Sequence, residues 1–105
     1  MKKETIKRIK KIVDALNSKG QIIKSIEELS ELSKELCKYL IADSQKGEGV
    51  YTNKATSKAK MNITEEMADV FIMLQQLLLI FENEKEVQEM IDKKIERTFK
   101  TYYLK

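Results

Sequence analysis

The sequence predicts an all-α fold, and three observations carry the prediction. The 105 residues contain no proline and only three glycines. Leu, Ile, Glu and Lys dominate, and 35% of residues are charged. Apolar residues recur at the helical period of three and four. A chain of this length makes one domain, residues 1–105. It buries a modest fraction of its own surface, so association should support it. The expected form is therefore bundle-like, with four main helices assembling through a hydrophobic central helix into a dimer or tetramer.

Each element follows from local signals. Helix one is predicted over about residues 3–18, with Ile6, Ile9, Val13 and Leu16 inward. Asn17-Ser18-Lys19-Gly20 ends it, with Gly20 as a C-terminal cap. The basic run Lys2, Lys3, Lys7, Arg8, Lys10 and Lys11 reads as the solvated face of this helix. Helix two is predicted over about 21–43, with an apolar stripe through Ile22, Ile26, Leu29, Leu36 and Leu40.

Apolar periodicity is then lost from 44 to 61. That stretch carries Gly47, Gly49, Tyr51 and the lysines Lys46, Lys54, Lys58 and Lys60. It reads as a long functional or disordered loop. Helix three is predicted from Asn62, whose side chain would cap it with Glu65 in the reciprocal position. It runs to about Asn83 and is apolar on most faces, which suits a bundle centre or a subunit interface. Helix four, about 84–102, should turn Val87, Ile91, Ile95, Phe99 and Tyr102 inward.

Composition excludes several kinds of chemistry. The chain has no His, and Cys37 is its single cysteine. Zinc sites built on His or Cys are ruled out, as are Ser-His and Cys-His nucleophiles. A lone cysteine gives no disulfide framework and points to a reducing, cytoplasmic setting. The net charge of +3 is too small to point to a nucleic-acid binder. Glu4 and a charged helix follow Met1-Lys2-Lys3, unlike a signal sequence. The most apolar stretch, Val70 to Phe81, is too short to span a bilayer. Chemistry is left to carboxylates, amines, hydroxyls and metal.

Two acidic clusters stand out: Glu27-Glu28-Leu29-Ser30-Glu31 and Glu66-Met67-Ala68-Asp69. Residues three and four apart share a helix face, so each cluster aims carboxylates in one direction. Like charges so placed destabilise a helix by about 0.2–0.5 kcal/mol per pair. A divalent cation or nearby Lys and Arg would offset that. Glu66 and Asp69 head a stripe that continues through Met73, Leu77 and Ile80, so they point toward a core, where unpaired carboxylates are costly. Glu28, Glu31 and Glu35 lie away from the apolar stripe of helix two, and alone they read as a solvated face. If the two helices face each other, Glu28, Glu31, Glu66 and Asp69 form an oxygen cage suited to Mg²⁺, with Mn²⁺ as the alternative.

With these motifs, residues 20–100 resemble the MazG-type nucleoside triphosphate pyrophosphohydrolases, an all-α superfamily. The resemblance rests on EExxE (Glu27, Glu28, Glu31), on ExxD (Glu66, Asp69) opening a hydrophobic helix, and on Lys94-Ile95-Glu96-Arg97 in the last helix. Lys24, one turn before EExxE, matches a basic position of that family. The chain departs from the pattern at Asp92, where the family often has Asn, and in the length of the stretch between Glu31 and Glu66. The resemblance implies Mg²⁺-dependent hydrolysis of a nucleoside triphosphate between its α and β phosphates. It implies metal ligation by Glu28, Glu31, Glu66 and Asp69. Glu27, Glu28 and Glu31 would be the catalytic carboxylates, with Glu27 orienting or deprotonating water. Lys24, Lys94 and Arg97 would hold phosphates, Arg97 by bidentate contact. The competing reading is a non-catalytic helical interaction or regulatory module.

Overall fold

The computed structural model describes residues 1–45 and 53–103. It is all-α, with four helices: α1 (Lys3–Ala15), α2 (Ser18–Gln45), α3 (Asn53–Phe81) and α4 (Glu84–Tyr103). No strand occurs among the described residues. No helix there is long and apolar enough to cross a membrane.

The body of the molecule is a hairpin of α2 and α3, with α1 packed on α3. Residues 35–42 of α2 lie beside 55–62 of α3, while Glu28 meets Glu66 and Asp69. The two helices are therefore antiparallel. The face that α2 buries runs through Ser25, Glu28, Leu32, Glu35, Tyr39 and Ala42. Steps of three and four alternate along it, the 3.5-residue spacing of a coiled-coil seam. On α3 the matching series is Thr56, Ala59, Ile63, Glu66, Val70 and Met73. Small residues let the helices approach closely at the Ala42–Ala59 end.

This seam is not the one read from hydrophobicity. Ile26, Leu29, Leu36 and Leu40 are exposed, Leu40 to 65%. On α3, Met67, Phe71, Leu74 and Phe81 form a second exposed apolar stripe. The buried apolar core among the described residues is only Ile9, Ala42, Ala59 and Val70. Burying a large apolar side chain stabilises a protein by about 1.5–3 kcal/mol, and this chain leaves many such side chains in water. Its radius of gyration is 17.9 Å, against about 13 Å for a compact chain of this length.

Three boundaries differ from the sequence reading. Helix one ends at Ala15, and Gly20 is not its cap. Instead Asn17 Oδ1 accepts a hydrogen bond from the Gly20 N–H at 3.0 Å, which caps the start of α2. Helix three begins at Asn53, so Asn62 lies inside it, and the Asn62–Glu65 capping box does not exist. Much of the expected 44–61 loop is thus helical. Ala and Lys in Asn53–Met61 favour helix, and the buried positions there are Thr56 and Ala59, too small to register as apolar periodicity. Lys46, Gly47, Gly49 and Tyr51 lie outside the described residues.

α3 ends where Glu82 adopts φ 51°, a left-handed conformation unusual for a residue with a side chain. Asn83 follows, and its carbonyl accepts the Val87 N–H at 2.9 Å, opening α4. α4 then leaves the body with only slight contact to the other helices. Val87 is half-buried, but Ile91, Ile95, Phe99 and Tyr102, expected inward, are exposed. In the angle between α3 and α4 lies an apolar cleft of about 500 Å³, lined by Phe71, Leu74, Phe81, Val87 and Ile91.

Candidate metal centre

The heptad-like seam decides which acids meet. Glu28 on α2, with Glu66 and Asp69 on α3, brings ligand oxygens within 4.8 Å of one another. Each is half-buried. Glu28 and Glu35 both lie on the seam, so the EExxE helix does not present these two acids as a free solvated face. They sit away from the apolar stripe because that stripe faces outward.

Electrostatic strain follows from the placement. Burial pushes the Glu66 carboxyl above its ordinary 4.5, and the negative charges of Asp69, Glu28, Glu31 and Glu35 push it further. Its Oε2 is buried with no hydrogen-bond partner. Asp69 is raised above 3.8, first by burial and then by Glu28, which both repels its anion and accepts a hydrogen bond from its protonated form. Lys24 opposes this shift. Its Nζ lies 3.1 Å from Glu28 Oε1 and 3.8 Å from Glu27 Oε2. The bond to Glu28 and the charges of Glu28 and Glu27 hold the Lys24 ammonium above 10.5.

Of the four expected ligands, the structure draws together Glu28, Glu66 and Asp69. Glu31 is exposed at the rim, near enough for its charge to act on Glu66. Glu27 is exposed and paired with Lys24. Lys94 and Arg97 stand on the exposed α4, and the main charges acting on Glu66 and Asp69 come from α2 and α3 instead. Sequence reasoning gave Glu35 no role in a site and Asn62 only that of a helix cap, yet both line the groove farther along the same seam. Glu35 is seven residues from Glu28, and that heptad step was the signal that could have found it.

The donor set fits a hard divalent cation. All three donors are carboxylate oxygens, which Mg²⁺ and Mn²⁺ accept and which softer ions do not favour. Bonds of about 2.1 Å in an octahedron set ligand oxygens roughly 3 to 4 Å apart, so the cluster needs only slight closure. The unpartnered Glu66 Oε2 is an acceptor that such an ion would satisfy. No family model, curated protein or solved structure matches the chain.

Proposed function

We propose that the chain is a metal-dependent nucleoside triphosphate pyrophosphohydrolase, with Mg²⁺ as its ion and Mn²⁺ as a substitute. The observation that carries this reading is the meeting of Glu28, Glu66 and Asp69 across the α2–α3 seam. The net reaction adds water to the α-phosphorus and breaks its bond to the oxygen bridging to the β-phosphate. A nucleoside monophosphate and pyrophosphate leave.

A divalent ion held there supplies charge neutralisation on the triphosphate and acidifies water. Glu28, Glu66 and Asp69 hold it, and Glu31 completes the set from the rim. Glu27, exposed beside them, is placed to orient the attacking water or take its proton. Lys24 is positioned by Glu28 and offers a point charge to a phosphate. Lys94 and Arg97 add phosphate contacts from α4, which gains neighbours when a second chain covers the exposed apolar stripes. The protein therefore acts as a homodimer or homotetramer, in control of the nucleotide pool or removal of unwanted nucleotides.

The test is a panel of NTPs and dNTPs with Mg²⁺, scored for pyrophosphate against orthophosphate. Pyrophosphate release abolished by EDTA is the expected result. Orthophosphate as the sole product would refute the reaction class. Full activity in Asp69→Asn would refute the metal assignment. A non-catalytic helical module would show neither product.

A further inference from the structure

Two helical turns from the acidic cluster, the same groove opens into a second cavity. It measures about 340 Å³ and lies between α2 and α3, lined by Glu35, Lys38, Ala42, Ala55, Ala59 and Asn62. Its walls are apolar where the alanines and Ile41 lie, and polar where Glu35, Asn62, Lys38 and Lys58 lie. Three alanines leave room for a flat ring to approach the helix backbones. Glu35 and Asn62 supply polar atoms.

Glu35 is the unusual member. It is 9% exposed, and a carboxylate so buried is costly unless its oxygens are paired. Oε1 is paired, with Lys38 Nζ at 3.3 Å. Oε2 is buried with no hydrogen-bond partner. Seam packing does not require a carboxylate here, since an apolar side chain would bury more cheaply. That oxygen is closed off from solvent, and a small rotation of the carboxylate would turn it to the cavity as an acceptor for a ligand's N–H.

We propose that this cavity is a nucleobase pocket that selects bases carrying an exocyclic amine over uracil and thymine. The inference rests on the reading of the α2–α3 groove as a nucleotide site. Seven residues of helix separate Glu28 from Glu35, or about 10 Å, the scale that separates a nucleotide's phosphate from its base. With the phosphates at the acids, the base reaches the alanine-lined cavity. There an amino group of cytosine, adenine or guanine donates to Glu35 Oε2. The Asn62 amide serves a neighbouring ring nitrogen or carbonyl. Uracil and thymine place a carbonyl where cytosine has its amine. That oxygen would face the Glu35 carboxylate, leaving the acid unpaired and adding repulsion. Sites built to hydrogen-bond a polar group discriminate strongly against a ligand that lacks it.

Cytosine and uracil nucleotides are the decisive probes, because they differ at C4 and at the protonation of N3 but hardly in size. Calorimetry of the full chain with dCMP and dUMP, in Mg²⁺, reads the pocket without any hydrolysis. dCMP is expected to bind at least about tenfold more tightly, and dCTP to exceed dUTP in kcat/KM by a similar factor. Glu35→Gln, nearly isosteric, should bring the ratio close to one, since an amide can donate to the uracil carbonyl. Mg²⁺ stabilisation of that variant should persist, and its melting curve reports whether it folds. Equal binding of dCMP and dUMP by the unaltered protein, or no binding of either, overturns the pocket. If dCTP and dUTP are cleaved equally, the pocket falls and the pyrophosphohydrolase reading stands. If dCMP is preferred but no triphosphate is cleaved, the pocket stands and that reading falls.

Discussion

Lys24 Nζ sits 3.1 Å from Glu28 Oε1, and Glu28 is the same carboxylate whose negative charge pushes the Asp69 carboxyl up. The lysine is half-exposed while Glu28 is largely buried. One surface cation thus partly neutralises a half-buried acid cluster. An entering metal ion would compete with that cation for Glu28.

Lys24→Gln should therefore tighten Mg²⁺ binding in the absence of nucleotide, because Glu28 is released from its ammonium partner. The same change should raise KM for a triphosphate, because a phosphate contact is lost. Calorimetry with Mg²⁺ alone and steady-state kinetics would read the two effects separately. Weaker Mg²⁺ binding in the variant would mean that Lys24 organises the site rather than competing for it.

The raised carboxyls make stability depend on pH with a definite sign. Glu66 and Asp69 hold protons in the folded chain that the unfolded chain releases at ordinary carboxylate pH. Their contribution is a penalty that is complete above the raised values and relieved as pH falls toward 4.5 and 3.8. In EDTA, the stability advantage of Asp69→Asn over the unaltered protein should be largest at neutral pH and shrink as pH falls toward 3.8. Urea midpoints at several pH values would show it. Saturating Mg²⁺ at neutral pH should reverse the ranking, since the variant loses a charged ligand.

Gly20 lies in the first turn of α2, and a Cβ built on it would meet only Asn17 Oδ1, at 3.9 Å. Its N–H, not its flexibility, is what the Asn17 cap uses. Gly20→Ala should keep that bond and stabilise the protein by about 0.4–1 kcal/mol, by restricting the unfolded chain. Asn17→Ala should cost about 0.5–2 kcal/mol by removing the cap. Thermal or chemical denaturation would measure both. A destabilising Gly20→Ala would mean that the position needs glycine's freedom.

The exposed stripe through Met67, Phe71, Leu74 and Phe81 is the expected contact with a second copy. Exposed apolar patches of this kind are what association would cover. Sedimentation should show a dimer or tetramer at micromolar concentration. Phe71→Lys together with Leu74→Lys should shift it to monomer and lower the melting temperature, without altering any of the acids. A stable, unaltered monomer would refute the interface.

The fold class was legible because it rests on composition and on the long apolar run of α3, which no alternative element suits. The two acidic clusters were legible for the same reason: helical spacing alone fixes which carboxylates share a face. What sequence obscured was which face turns inward. Much of the α2–α3 seam, Ser25, Glu28, Glu35, Ala42, Thr56 and Ala59 among it, is polar or small and does not register in a hydrophobic pattern. The stronger apolar stripe, through Ile26 and Leu40, points outward and misdirects the reading. Asn62 and Gly20 misled in another way. Both have cap chemistry, but a cap works only at a helix end: Asn62 lies well inside α3, and Gly20 lies in the first turn of α2, where Asn17 provides the cap.

The length of α3 has a consequence for motion. Glu66 and Asp69 stand more than three turns from either end of the Asn53–Phe81 helix. Helices fray from their termini, and amide protons near the middle of a long, packed helix exchange with solvent most slowly. The amides of these two residues should thus be among the last in the chain to pick up deuterium. Their backbone would stay fixed while the carboxylates alone adjust, so any looseness at the cluster belongs to side-chain torsions and to α2, not to the rod that carries them.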